Sequence, residues 1–216
     1  MIKNTIIPTI YTFIINPILT LIIGVNFENK SSLRGQQQFL IVANHNSHLD
    51  ALSILAAIPY SQFRKVHTVV AADYFGKNRL CKIFVKLFFN AVFINRNSVK
   101  NEPSSIEILD HLLKQGKSLI LFPEGSRGVP GVVTDFKKGA AILLQRNPHI
   151  HFIPAHLNGF GRVLPKGSSV IIPLNCKVRF GQPMRANTVN INALLDQIKQ
   201  AIFSLKPISE LDTNNF

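Results

Sequence analysis

The sequence has few cysteines and none of the short signatures that mark thiol-based metal or redox chemistry. Its two cysteines, Cys81 and Cys176, lie far apart among apolar and basic residues. Neither belongs to a CxxC or CxH arrangement, which excludes a cysteine-based zinc or redox centre. We expect two reduced, partly buried thiols in a protein that faces a reducing compartment.

Acidic residues are scarce and unevenly placed. The 216 residues include 24 Lys and Arg against 11 Asp and Glu, a formal net charge of +13. No acid lies between Asp135 and Asp196 or between Gly76 and Lys100, although both stretches are rich in lysine and arginine. This excess indicates an anionic partner. Nucleic acid is disfavoured because zinc-finger spacing, an RNP-like segment and a recognition helix are all missing. The basic residues sit among Ile, Leu and Phe runs, which favours an anionic membrane surface.

Charge is missing altogether from Asn4 to Phe27, a run long enough to cross a bilayer as one helix. Pro8 and Pro17 would divide that run into short pieces. The sequence therefore favours a helical hairpin or a broken helix lying in one leaflet, with a single span and a core helix as alternatives. A cleaved signal peptide is not expected, because Lys3 is the only positive charge before the run and no small-x-small site follows it.

After this segment, strand-like and helix-like runs alternate. FLIVAN, VHTVVAAD, VFINR, SLILFPEGSR and HFIPAHL are predicted strands, and VIIPLNCKVRFGQP is a predicted hairpin or pair of short strands. Amphipathic helical runs separate them. The alternation predicts an α/β fold: a single domain with a central mixed, largely parallel sheet flanked by helices, plus the N-terminal apolar membrane-associating helical segment. We expect the segment at 1–27, the α/β domain at 28–206 and a polar tail at 207–216.

One helical run is strongly amphipathic and basic. Its apolar residues follow the i, i+3, i+4, i+7, i+8 spacing, namely Leu80, Ile83, Phe84, Leu87 and Phe88. The favoured interpretation is a helix that packs this face into the core and turns Lys82 and Lys86 to water. The alternative is that the basic, phenylalanine-rich stretch Lys77–Phe93 docks on a membrane.

Polar clusters follow three of the predicted strands: NHNSHLD, NRN and PEGSRG. Chemistry in such sheets collects at the carboxyl ends of the strands, so these clusters are expected to converge.

The first cluster allows several chemistries. His45, His48 and Asp50 are legal metal ligands, but no HExxH or related pattern surrounds them, which disfavours a metal site. Ser47 lacks a G-x-S-x-G elbow and is better placed to cap a helix that begins near His48. A His45–Asp50 dyad requires a break from loop to helix, because residues five apart in one helix point about 140° apart. The residues alone leave open whether the pair is a general base with its carboxylate or a helix cap.

The clusters together resemble a known family. NHNSHLD resembles the N-H-x-x-x-x-D (HX4D) block of the glycerolipid acyltransferases, which include bacterial 1-acylglycerol-3-phosphate acyltransferases. VFINR, FPEGSRG and FIPAHL resemble the second, third and fourth blocks, and they occur in the family's order. The resemblance covers about Phe39 to Pro183, most of the domain.

The resemblance implies transfer of a fatty acyl group from acyl-CoA or acyl carrier protein to the hydroxyl of a lysoglycerolipid, with no metal and no cofactor. His45 would be the general base and Asp50 its partner. The basic residues expected to hold the acceptor phosphate are Arg96, Arg127 and Lys137. The remaining motif or structural positions are Asn44, Glu124, Gly125, Ser126 and Pro154.

The expected acceptor is 1-acylglycerol-3-phosphate, giving phosphatidic acid. The alternatives are another lyso-acceptor, such as a lysophospholipid with a larger head group or a lyso-aminolipid, and a non-catalytic lipid-binding module. Such a lipid acceptor implies an enzyme associated with the cytoplasmic face of a membrane, the inner membrane if the chain is bacterial.

Overall fold

A computed structural model describes residues 5–75, 78–95, 103–126, 135–160 and 176–206. Over these residues the chain forms a sheet of seven strands. In chain order they are β1 (Val25–Glu28), β2 (Phe39–Ala43), β3 (Val66–Ala71), β4 (Val92–Ile94), β5 (Ser118–Leu121), β6 (His151–Asn158) and β7 (Cys176–Phe180).

The strand order is β1-β7-β6-β2-β5-β3-β4, and every neighbouring pair is parallel except β6 with β7. The predicted mixed, largely parallel sheet in a single α/β domain is therefore confirmed. Part of the predicted strand region before Cys176 lies outside the described residues. The sequence did not predict β1, which pairs with β7. The α/β domain was expected to begin at residue 28, but its sheet already begins at Val25, the first residue of β1.

Strand β2 lies in the middle of the sheet because all five of its residues can be buried. Phe39 to Ala43 is uniformly apolar, and each residue is at most 1% exposed. Strands covered on both faces have this continuous hydrophobic composition. The strand pairs in parallel with β6 on one side and β5 on the other, so its carboxyl end lies beside theirs.

Six α-helices pack around the sheet in the described part of the chain: α1 (Ile7–Ile10), α2 (Leu49–Ala57), α3 (Arg79–Phe88), α4 (Ser105–Lys114), α5 (Gly139–Arg146) and α6 (Ile191–Phe203). Their ends follow local sequence signals. Ser104 and Glu107 form a reciprocal capping box at the start of α4. Gly116, with φ +75°, follows the end of that helix, where a left-handed residue is favoured. Asn190 caps α6 by accepting from two backbone N–H groups.

The helices form two layers. One face of the sheet packs against α2 and the N-terminal segment, through residues such as Ile41, Ile153 and Leu55. The other face packs against α4, α5 and α6, through residues such as Leu40 and Phe152. Alternate residues of β2 belong to the two clusters, as the period of a strand requires.

The N-terminal segment continues from α1 through two π-helical turns, Tyr11–Ile15 and Ile18–Ile22. Asn16 and Pro17 keep right-handed helical angles. One face of the segment is buried, including Tyr11, which packs against the Phe63 ring with centroids 4.8 Å apart. The other face is apolar and exposed. Within the described residues no helix combines the length and the apolar character needed to cross a membrane.

Helix α3 corrects the interpretation favoured from the sequence. Its apolar stripe faces outward rather than into the core, and Leu80, Ile83 and Phe84 are each more than half exposed. Val85 is buried, and Phe88 packs against the core instead. Of the five residues in the apolar spacing only Phe88, at one margin of the stripe, therefore packs on the core, and the buried Val85 lies outside that spacing.

Candidate active site

The sequence clusters converge at one edge of the sheet. The loop after β2 carries His45, and the loop after β5 carries Glu124. Because these strands are parallel neighbours, their carboxyl ends bring the two loops together. The backbone N–H of His45 donates to Glu124 Oε1 at 3.0 Å. The convergence predicted for the first and third clusters is therefore observed.

The side chains of His45 and Asp50 contact each other across a break from loop to helix. His45 Nδ1 lies 2.9 Å from Asp50 Oδ2. The chain leaves β2, turns through Asn46 and Ser47, and enters α2 at Leu49, so the break from loop to helix brings the carboxylate back to the imidazole. A carboxylate only accepts, so Nδ1 carries the proton and Nε2 is the nitrogen left with a lone pair.

One oxygen of Asp50 organises the whole turn. Besides the imidazole, Asp50 Oδ2 accepts from the backbone N–H groups of Asn46 at 2.6 Å and Ser47 at 2.8 Å. The Asp50 side chain is fully buried. Oδ1 has no hydrogen-bond partner among the described residues. Since three donors share one oxygen, the carboxylate acts both as the partner of the imidazole and as the acceptor that shapes the loop.

Ser47 takes the capping role expected of it, with a small shift. Its hydroxyl oxygen accepts from Leu49 N at 3.3 Å, and its carbonyl accepts from Asp50 N at 3.2 Å. The helix begins at Leu49, one residue later than predicted, so His48 occupies the N-cap position without a side-chain cap bond. Ser47 is buried and stabilises the start of α2.

The imidazole is held on a second side by an aromatic ring. His45 and Phe122 stack with centroids 4.2 Å apart and an interplanar angle of 22°. The His45 side chain remains 20% exposed. The ring is therefore oriented by Asp50 and Phe122 while part of it stays accessible to a substrate.

Asn44 fastens the loop to the neighbouring strand β6. Its side-chain Nδ2 donates to Leu157 O at 2.8 Å, and its Oδ1 accepts from Leu157 N at 2.7 Å. These two hydrogen bonds continue the pairing between β2 and β6 beyond the end of β2, with the side-chain amide in place of a backbone amide. Asn44 is buried, so both hydrogen bonds are shielded from water.

Lys137 lies over the glycine of the third cluster. Gly125 has φ +70°, and a Cβ on it would lie 2.8 Å from Lys137 Cε and 3.0 Å from Lys137 Nζ. The lysine backbone N–H donates to Pro123 O at 2.8 Å. Gly125 is therefore required twice, for its left-handed backbone and for the close approach of the lysine. The neighbouring Ser126 is exposed.

The other predicted phosphate ligands, Arg96 and Arg127, lie outside the described residues. Pro154 is described, and it points to the opposite face of the sheet. Its ring approaches Gly181, where a Cβ would lie 2.7 Å from Pro154 Cγ. It lines an open groove beside α6 rather than the His45 site. The role of Pro154 as a motif or structural position stays a prediction.

Phe122 is a residue that sequence reasoning missed. It follows β5 and stacks on His45, yet it looked like the last apolar residue of a strand. The available signal was its position two residues after Ile120, which puts both on the sheet face that carries the N-terminal segment and α2. In the described ranges, no three His, Cys, Asp or Glu side chains come together as a metal site would require.

An α/β sheet that presents a His–Asp pair at its carboxyl edge, beside a glycine turn covered by lysine, defines a site suited to proton transfer. The sequence profile of the acyltransferase family matches residues 24–158, and the chain belongs to that family.

Particular relatives agree with this assignment. The chain is 32% identical over 120 residues to a probable 1-acyl-sn-glycerol-3-phosphate acyltransferase of Mycoplasma pneumoniae, covering 56% of this chain and 44% of that one. It is 27% identical over 173 residues to the protein of the same description from Mycoplasma genitalium, covering 76% and 63%. The chain thus spans less than two thirds of the length of either relative.

The fold also matches a solved structure. The crystal structure of the 1-acyl-sn-glycerophosphate acyltransferase PlsC from Thermotoga maritima superposes with a TM-score of 0.65 at 21% identity. The match covers 84% of this chain and 71% of that chain. At this identity the likeness concerns the fold.

Proposed function

We propose that this chain transfers a fatty acyl group from acyl-CoA or acyl carrier protein to the free hydroxyl of a lysoglycerolipid. The proposed acceptor is 1-acylglycerol-3-phosphate, and the product is phosphatidic acid. The observation that carries the proposal is the 2.9 Å pair of His45 Nδ1 and Asp50 Oδ2 at the carboxyl edge of the sheet. Membership of the acyltransferase family and the descriptions of the two mycoplasmal relatives support it.

The proposed mechanism needs one base. With Asp50 accepting from Nδ1, His45 Nε2 removes the proton of the acceptor hydroxyl as that oxygen attacks the thioester carbonyl. The tetrahedral intermediate collapses, the C–S bond breaks, and the thiolate takes the proton back from the imidazolium. An ester and a free thiol result. The thioester is already activated, so alignment and deprotonation of the alcohol are the main requirements.

The acceptor phosphate is proposed to bind next to the glycine turn. Lys137 Nζ lies close to Gly125, on the loop that also holds Glu124 against His45. Arg96 and Arg127 are proposed to add bidentate contacts, as the family resemblance implies. A cationic group beside the base would orient a phosphorylated acceptor by one end and present its hydroxyl to Nε2.

Membrane association at the cytoplasmic face is part of the proposal. The N-terminal segment exposes Phe13, Leu21 and Ile22, which are 71%, 82% and 64% accessible. These side chains would enter the interface of the bilayer that contains the acceptor. Deletion of the segment would be a poor test because Tyr11 and Leu19 belong to the core. Phe13→Ser with Leu21→Ser is better, and unchanged sedimentation with vesicles would contradict the proposed anchor.

The central experiment compares the wild type with His45→Ala and with His48→Ala as the matched control, since His48 is exposed and lies outside the pair. Each is incubated with acyl-CoA or acyl carrier protein and a panel of lyso-acceptors, with and without EDTA. We expect His45→Ala to lose activity, and His48→Ala and EDTA-treated enzyme to keep it. Full activity in His45→Ala would refute the base, and a different preferred acceptor would redirect the substrate assignment. An inactive but lipid-binding wild type would favour the non-catalytic alternative.

A further inference from the structure

The outward stripe of α3 is an apolar surface that the proposed chemistry does not use. Leu80, Ile83, Phe84 and Leu87 are 80%, 54%, 56% and 38% exposed. Among the described residues, ten of the twelve exposed large apolar side chains lie on this helix and on the N-terminal segment. Scattered exposed apolar residues are normal on proteins, but clustering of this kind marks an interaction surface.

The orientation of α3 is fixed by contacts on its inner side. Asn78 caps the helix by accepting from Cys81 N at 3.0 Å. Phe88 packs on Tyr11 of the N-terminal segment with centroids 5.2 Å apart, and Phe84 stacks on Phe88 at the same distance. Helix α3 is therefore packed against the N-terminal segment through these rings while its stripe stays exposed.

The charges of α3 suit an anionic surface. Arg79 and Lys86 are exposed and project about 90–110° around the helix from the centre of the stripe, along one flank. The stretch from Gly76 to Lys100 contains no acid that would offset them. An apolar face bordered by cations is the pattern of helices that lie in the headgroup region of a bilayer, with the cationic side chains reaching the lipid phosphates.

The sheet directions put one end of each apolar element at the sheet edge that carries the site. Helix α3 begins after the carboxyl end of β3, which is parallel to β5 and so ends at the same edge as the His45 loop. β1 is parallel to β7, and β7 is antiparallel to β6, so β1 starts at that edge. Leu21 and Leu80, each at least 80% exposed, therefore lie towards the edge that carries His45.

We propose that the outward face of α3 inserts into the headgroup region of a bilayer containing anionic phospholipid. It forms a second membrane contact beside the N-terminal segment, so that a lysolipid acceptor leaves the bilayer at the edge that carries His45. The inference rests on the proposed function, because it takes the acceptor to be a membrane lipid. A bilayer is favoured over a protein partner because the apolar side chains extend over two separate elements, and because those of α3 are flanked by Arg79 and Lys86 in a stretch whose sequence, from Gly76 to Lys100, has no acid.

The test uses the full chain and vesicles of phosphatidylcholine with or without phosphatidylglycerol, in the absence of substrate. Ile83→Gln/Phe84→Gln should bind vesicles at least about tenfold more weakly, because two half-exposed apolar side chains lose their burial. Val189→Gln, at an apolar residue that is outside both elements and more exposed than Ile83 or Phe84, should bind like the wild type. Arg79→Gln/Lys86→Gln should weaken binding only to vesicles with phosphatidylglycerol. Thermal unfolding should be unchanged in all three variants.

Activity separates this inference from the proposed function. On long-chain lysophosphatidic acid in vesicles, Ile83→Gln/Phe84→Gln should lose activity by the same factor as binding. On a monomeric short-chain lyso-acceptor it should match the wild type. If the wild type is inactive on both acceptors, the proposed function is refuted, and the vesicle-binding result remains valid. Unchanged vesicle binding in Ile83→Gln/Phe84→Gln would overturn the docking inference. The docking inference would also be overturned if this variant still bound vesicles but no longer formed a dimer or no longer bound acyl carrier protein.

Discussion

Substitution of Asp50 by asparagine distinguishes the charge of the carboxylate from its geometry. Asp50 Oδ2 accepts from His45 Nδ1 and from the N–H groups of Asn46 and Ser47, at 2.9, 2.6 and 2.8 Å. An asparagine must turn its amide oxygen to that position, because its NH2 group would otherwise meet two backbone donors. The imidazole then still donates from Nδ1, and Nε2 remains the base.

The magnitude follows from what asparagine removes. A hydrogen bond to a charged group contributes about 1.5–3 kcal/mol, so loss of the charge that supports the imidazolium should lower kcat about 10- to 100-fold. A reversed tautomer would cost about 10⁴-fold. Asp50→Ala removes the oxygen itself and leaves the N–H groups of Asn46 and Ser47 without their acceptor. At about 1–3 kcal/mol for each unsatisfied buried group, it should destabilise the fold by about 2–6 kcal/mol.

The assay is CoA release with saturating acceptor, combined with thermal unfolding followed by circular dichroism. We expect Asp50→Asn to keep most of its stability and a measurable kcat, and Asp50→Ala to lose both. A 10⁴-fold loss in a folded Asp50→Asn protein would show that asparagine presents its NH2 group to His45, which refutes the shared-oxygen geometry. Asp50→Ala melting with the wild type would refute the role of the carboxylate in shaping the loop.

Three further predictions follow from the described contacts. Gly125→Ala should raise KM for a phosphorylated acceptor, because the new Cβ displaces Lys137. Gly116→Ala is the control, since Gly116 also has a left-handed backbone (φ +75°) but no atom within 4 Å of the new Cβ. It shares the backbone strain and should leave KM unchanged. Equal KM values in the two variants would contradict the lysine's role. Glu124→Ala should lower kcat about tenfold, because it removes the acceptor of the His45 backbone N–H. Glu124→Gln keeps an acceptor oxygen and should recover part of the lost kcat. If kcat does not recover in Glu124→Gln, this hydrogen bond is not the cause of the loss. Burial, assisted by two nearby cations, lowers the pKa of His156 to about 4. The unfolded chain therefore binds more protons between about pH 6.5 and 4, and the wild type should lose up to about 3 kcal/mol of stability as the pH falls through that range. Denaturant unfolding at pH 7.5 and 5 should show a smaller loss in His156→Leu, and equal losses would refute the assignment.

Much of the site could be predicted from the sequence because its key residues are close in the chain. His45 and Asp50 are five residues apart after a uniformly apolar strand, so a loop-to-helix break can bring them together. The residues alone left a general-base pair and a helix cap open, and the resemblance of the later blocks to the acyltransferases favoured the pair. The contact between His45 and Glu124 joins residues 79 apart. Their clusters both follow strands, but nothing in the sequence said that these strands were neighbours or which atoms would meet.

The described part of the fold departs from expectation where a segment has little pattern of its own. Strand β1 is four residues long and follows an apolar run, so its short alternation of apolar and polar residues, Val25 to Glu28, does not separate it from the N-terminal segment. It is a strand because its backbone pairs in parallel with β7, from Val25 beside Cys176 to Glu28 beside Arg179. This pairing can form only when β7 is in place in the sheet.

By itself, the sequence determined the alternation of strands and helices, the excess of positive charge, and the set of reactive residues, since each of these depends on composition and local spacing. Only the tertiary structure decided which way the helices turn and which atoms share a proton. Helix α3 has the spacing of a core helix, yet most of its stripe faces outward, because the helix is packed through Phe88 against Tyr11 and the core, with Val85 buried. Periodicity specifies that a face exists. The neighbours that pack against the helix decide whether that face is buried.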